Sequence, residues 1–273
     1  MALPLETLGW MAAWVGVGTI FVLLVRRGVN YLDRYPLTAL YFLLATVVVA
    51  APFRGLLVPL LHELRPIHAV LFAIVLGLHV LVYRWLPRRM ARPEALIRAH
   101  PHIYWLRMDQ RYNVSKPVEI LFQQILFVSL VLLLERSSMP RIGWNLLLIA
   151  LFASLHIPII ALVGRYFGLY YLGSSLVAAV LFPAVILSRP DGFVYSYLLH
   201  WLYYLASAVF FWMRRTGRPR AYAMRTVDSP DPGSVSSPRE RRSKRSVMSS
   251  PTSCSPKKER RSSKSPSAID SSD

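Results

Sequence analysis

Apolar residues in this chain fall into runs of about twenty, each long enough to cross roughly 30 Å of hydrocarbon. The runs lie at about 7–25, 36–53, 66–85, 117–134, 142–163, 167–187 and 192–213. They predict about seven membrane-spanning helices, an all-α polytopic bundle. The second run extends through Arg54 toward Leu61, with Pro52 placed to kink it. The first, Leu8 to Val25, exceeds a typical signal-peptide core. No Lys or Arg precedes it and no A-x-A-like cleavage site is evident, so it is expected to be a retained helix.

Composition agrees with this pattern. Hydrophobic residues make up 54% of the 273-residue chain and mean hydropathy is +0.39. A soluble domain has about 45–50% apolar residues. The lone cysteine, Cys254, excludes an internal disulfide framework and any metal site built on several thiolates. The chain divides into N-terminal transmembrane helices at 1–85, a basic segment at 86–116, a helical core at 117–213 and a polar tail at 214–273.

Charge placement sets an expected orientation. The first connection carries Arg26, Arg27 and Arg34, and the fifth carries Arg165. The third carries Arg84, Arg88, Arg89, Arg92, Arg98, Arg107, Arg111 and Lys116. The alternate connections hold only Arg54, Arg65, Arg136, Arg141 and Arg189. The positive-inside rule then puts the N-terminus outside and the C-terminus in the cytoplasm.

The 86–116 segment interleaves its basic residues with Trp85, Leu96, Ile97, Ile103, Tyr104, Trp105 and Leu106. That mixture predicts a stretch lying along the cytoplasmic membrane interface, held by anionic lipid. His100 and His102 are expected to face solvent. Trp10, Trp14, Trp85, Trp144, Trp201 and Trp212 fall mostly near span ends, as aromatic belts do.

Residues 214–273 hold fifteen Lys and Arg against six Asp and Glu, with many Ser and little apolar content. Such a segment cannot bury enough surface to fold and is expected to be disordered. Ser-Pro pairs begin at Ser229, Ser237, Ser250, Ser255 and Ser265, where phosphorylation would weaken attraction to an anionic leaflet. A solvated basic tail without regulation fits equally well. Basic runs such as Arg239 to Arg245 lack interleaved aromatics, so membrane lipids rather than nucleic acid are the expected partner.

Three polar residues interrupt the apolar runs of the second half. Glu119 lies in Pro117-Val118-Glu119-Ile120-Leu121-Phe122-Gln123-Gln124, His156 follows Phe152 by four, and His200 precedes Tyr204 by four. Ionisable groups in a bilayer are costly and usually face a bundle interior at a site. Helical spacing puts Glu119 with Gln123, Phe152 with His156, and His200 with Tyr204 on shared faces. At 1.5 Å per residue, His156 lies roughly 10 Å below its cytoplasmic helix end, and Tyr204 about 6 Å nearer the cytoplasm than His200. The groups overlap in depth. A lone intramembrane histidine can instead be a structural donor to a neighbouring helix. His68 and His79, without an obvious partner in sequence, are assigned to structure.

These residues resemble the CPBP (CAAX protease and bacteriocin-processing, or Abi) intramembrane protease family over about 117–210. Its pattern is Glu-Glu-x-x-x-Arg, then Phe-x-x-x-His, then His-x-x-x-Asn or Asp. Phe152 to His156 matches the second motif in full. At the first motif two registers remain open. In one, Val118 replaces the first Glu and Gln123 the Arg; in the other, Ile120 replaces the second Glu and Gln124 the Arg. Tyr204 replaces the terminal Asn of the third motif.

The resemblance implies a membrane-embedded peptidase. Glu119 and His156 would activate a water, and His200 and Tyr204 would hold the developing oxyanion. The substrate would be a membrane-associated protein or peptide cut near the cytoplasmic face, such as beside a prenylated cysteine. A divalent metal such as zinc is left open: Glu119, His156 and His200 could ligate one with a free fourth position, although no HExxH pair exists. Two other classes compete. The incomplete first motif suits a catalytically inactive scaffold or binding partner, and His156 with His200 could be axial ligands of a b-type haem. A retinal protein would need a lysine in the last span, and the only lysine before residue 244 is Lys116.

Overall fold

The computed structural model describes residues 3–216, and every element among them is helical. In chain order these are α1 (Leu3–Arg26), α2 (Tyr35–Ala50), α3 (Arg54–His62), α4 (Pro66–Arg89), α5 (Glu94–Ala99), a 3₁₀ turn (Tyr104–Arg107), α6 (Tyr112–Glu135), α7 (Arg141–Val163), α8 (Arg165–Ser188) and α9 (Gly192–Thr216). The polar tail that the sequence marks for disorder lies outside the described residues from 217 onward.

Six helices are long and apolar enough to cross a membrane. Counting the bent pair α2 and α3 as one broken span brings the number to seven. The protein is an all-α, multi-pass membrane bundle. The break is sharper than a proline kink: α2 and α3 meet at 109° across residues 51–53. Phe42 of α2 packs against Phe122 of α6 at 5.9 Å. Farther along, Val48, Val49 and Phe53 share a groove with Leu133 and Arg136. The helix α2 therefore accompanies α6 over most of its length, and α3 lies across the far end.

The central element is α6, where 67% of the apolar window is buried in protein, against 6% for α1. It packs against α1, α2 and α9, while α7 pairs chiefly with α8. The α7–α8 turn is tight because Gly164 takes a φ of 86°, open to glycine. A Cβ on Gly168 would lie 2.4 Å from the Ile160 Cα, so the two backbones touch there.

Several expectations change. The fourth span starts at Tyr112, not 117, because Pro117 sits inside α6 and Tyr197 Oη donates to its carbonyl at 3.0 Å. Lys116 is consequently helical and buried, not a loop cation. The 86–116 segment folds under the basic end of the bundle. Its apolar side chains meet protein: Trp105 and Leu106 are buried, Trp105 Nε1 donates to Tyr171 Oη at 2.8 Å, and Trp212 Nε1 donates to the Leu106 carbonyl at 2.8 Å. His100 is half-buried, its ring 4.7 Å from Phe167, while His102 is exposed.

Most of the tryptophans are interior packing, not a belt. Trp10, Trp144, Trp201 and Trp212 are buried, and Trp85 faces outward. The two histidines of α4 have partners that sequence did not show. His68 Nε2 lies 3.1 Å from Asp191 Oδ2, clasping α4 to the α8–α9 turn. The His79 ring stacks on Trp201 at 4.8 Å.

A polar cavity between α1, α6, α7, α8 and α9

Glu119, Gln123, His156, His200 and Tyr204 all line one cavity of about 600 Å³. That size lies within the range of small-ligand pockets, roughly 300–1,000 Å³. The cavity runs from a polar end on the basic side of the bundle, at Tyr31, Lys116, Tyr171 and Tyr204, to an aromatic floor of Trp14, Phe127, Phe152 and Phe182. Lys116 to Phe127 spans about 16 Å of helix. The floor rings pack edge to face, with Phe127 4.9 Å from Phe152 and 5.7 Å from Phe182.

Glu119 is the anionic centre. Its Oε2 accepts from Tyr31 Oη at 2.5 Å and from Lys116 Nζ at 2.7 Å; Oε1 accepts from Gln123 Nε2 at 2.8 Å. A buried carboxylate needs both a counter-charge and its lone pairs satisfied. Lys116 supplies the first, one turn before Glu119, where the family pattern would put an Arg one turn after. Oε1 keeps lone-pair capacity beyond Gln123. Tyr31 stays a donor: burial first, then the Glu119 charge and hydrogen bond, hold its phenol well above the ordinary value.

Each of the two histidines is held through its Nδ1. His156 Nδ1 lies 2.8 Å from the Phe152 carbonyl. That oxygen can only accept, so Nδ1 carries the proton and Nε2 has a lone pair. Gln124 Nε2 lies 3.0 Å from His200 Nδ1, and the single proton of the Ser196 hydroxyl is shared between the Phe193 carbonyl at 2.8 Å and Gln124 Oε1 at 3.1 Å. With the Gln124 amide turned so that Nε2 donates, the His200 proton sits on Nε2, and one ring then offers an acceptor and the other a donor. Tyr204 stacks on His200 at 5.6 Å, and Lys116 Nζ sits 4.0 Å above the Tyr204 ring.

The two open registers of the first motif converge here: Gln123 bonds Glu119, and Gln124 bonds His200. Sequence reasoning did not find Lys116, Tyr31 or Ser196. Lys116 had a signal, being three residues before Glu119 on one helical face. Tyr31 had none, since its place depends on a loop conformation.

Among the described residues, no group of three or more His, Cys, Asp or Glu is disposed to hold a metal ion. The trio Glu119, His156 and His200 thus shares a cavity without forming a metal cage, and Glu119 is already occupied by three donors. His200 Nδ1 is likewise used by Gln124. Comparison with family models, with curated proteins and with solved structures returns no match.

Proposed function

We infer that the cavity is the active site of a membrane-embedded peptidase related in chemistry to the CPBP proteases. A water held between Glu119 Oε1 and His156 Nε2 donates one hydrogen to each, which turns an oxygen lone pair toward a substrate carbonyl. As the C–O bond forms, His156 Nε2 takes the water proton. His200 Nε2–H and the Tyr204 hydroxyl receive the oxyanion. The proton then passes to the departing amine as the C–N bond breaks. Glu119 stabilises the imidazolium and orients the water.

The observation that carries this reading is one cavity that holds the Glu119 carboxylate with the His156 and His200 rings, each ring anchored through Nδ1, His156 on the Phe152 carbonyl and His200 on Gln124. The aromatic floor suits an apolar substrate segment, and the polar end suits the scissile amide. Arg26, Arg27, Arg88, Arg89 and Arg111 belong to the same end of the bundle as Lys116, which supports a cytoplasmic polar end, an outside N-terminus and a cytoplasmic C-terminus.

The test is cleavage by protein reconstituted in liposomes, read by mass spectrometry of a farnesylated C-terminal peptide and of a bilayer-inserted helical peptide. Cleavage by the wild type and none by His156→Ala is expected. A second reading, a silent scaffold that binds a membrane partner, is favoured by one observation: Lys116 neutralises the only carboxylate among the described residues that line the cavity. Binding of either peptide without cleavage by the wild type would select it.

A further inference from the structure

Tyr31 belongs to the connection between α1 and α2, outside the stretch that resembles the protease core. The loop is built to deliver it. Gly28 turns the chain after α1 with a φ of 82°. Asn30 Oδ1 accepts from the backbone N–H groups of Leu32 and Asp33, both at 2.9 Å, closing a side-chain turn. Thr38 Oγ1 donates to the Asn30 carbonyl at 2.9 Å and Arg111 Nη1 to the Leu32 carbonyl at 3.4 Å. The ring is clamped by Phe21 at 5.4 Å, Tyr104 at 5.2 Å and Tyr112 at 5.6 Å.

The result is a buried phenol, 8% exposed, aimed at one oxygen of Glu119. Lys116 Nζ reaches that same oxygen. With Tyr31 and Lys116 both on Oε2, the carboxylate cannot rotate without breaking two charge-assisted bonds. Oε1 is left for Gln123 and for a ligand in the cavity.

We propose that Tyr31 is a positioning residue, holding Glu119 so that Oε1 faces the reacting water, and that the α1–α2 loop is therefore part of the active site. The inference rests on the peptidase reading for its kinetic consequence and on the hydrogen bond alone for its structural one.

Tyr31→Phe keeps the clamped ring and removes only the hydroxyl, so a purely packing role would leave it silent. Tyr31→Ala reports the packing contribution. The measurements are kcat and KM in liposomes and the proton NMR spectrum of the protein in nanodiscs. A phenol donating to a carboxylate gives a far-downfield proton, expected in the wild type and absent from both Tyr31→Phe and Glu119→Gln. Loss of a hydrogen bond to a charged group should lower kcat roughly ten- to hundredfold with KM little changed. Tyr31→Phe turning over at the wild-type rate, or a wild-type protein lacking that shared resonance, would overturn the proposal. If the wild type shows the resonance, both variants lose it and no peptide is cleaved, the peptidase reading fails while the positioning of Glu119 by Tyr31 stands.

Discussion

Lys116 Nζ lies 2.7 Å from Glu119 Oε2, and the side chains are only 8% and 10% exposed. The pair sits three residues apart on α6, so one helical face carries both charges into the cavity. Nζ also rests over the Tyr204 ring, tying α6 to α9.

Removing one partner of a buried ion pair leaves the other uncompensated. Lys116→Met should destabilise the protein by about 3–5 kcal/mol. The double change with Glu119→Met should recover much of that, since neither charge then remains. Thermal unfolding in nanodiscs, comparing both single variants with the double, checks it.

His200 offers its Nε2–H because Gln124 occupies Nδ1. On the peptidase reading, His200→Ala should cost about 10²–10³ in kcat, as loss of an oxyanion donor does. Gln124→Leu should be impaired through the same ring, because nothing then fixes the tautomer. Steady-state rates of both variants on the same peptide are the readout, and a Gln124→Leu variant equal to wild type would separate the two residues.

The α7–α8 hairpin depends on backbone contact at Gly168. A methyl there would meet the Ile160 Cα at 2.4 Å and its Cγ1 at 2.8 Å. Gly168→Ala should lower stability by about 1–3 kcal/mol through overpacking. It should also displace His156, which α7 carries into the cavity. A melting temperature unchanged from wild type would show that the hairpin has room to spread.

At the end of the bundle away from Lys116, Asp191 accepts from His68 and lies 3.9 Å from Arg189. Partial burial pulls its carboxyl up, but the His68 hydrogen bond, its own backbone N–H and Arg189 outweigh this and hold it below the ordinary carboxylate range. The contribution to stability is thus full above the unfolded value of about 3.9 and is lost as pH falls through the lower folded value. Asp191→Asn should flatten that acid limb of a melting curve against pH. An unchanged slope would remove the clasp from the account.

Sequence reached the architecture because long apolar runs have few outlets other than membrane-spanning helices. It also named the side chains that share the cavity, since one helical turn separates the members of each pair. It misplaced the start of α6, because a proline that usually opens a helix here sits inside one, with Tyr197 Oη donating to its carbonyl. It did not show that Trp105 and Leu106 of the 86–116 segment pack against the bundle, because a mix of Trp, Leu and Arg fits a lipid interface and a protein underside equally well. The same ambiguity applied to Trp10, Trp201 and Trp212, whose burial follows from helix packing that no single run encodes. Tyr31 was invisible for a different reason. A contact across 88 positions depends on the loop that Gly28 and Asn30 shape.

A double-mutant cycle on Glu119→Gln and His156→Ala measures most directly whether the carboxylate and the imidazole act on one water. Each single change should cost roughly 10²–10⁴ in kcat, and the double should be about as slow as the slower single, because groups serving one step are not additive. Losses that multiply, or a wild type no faster than the double variant, would contradict the shared-water account.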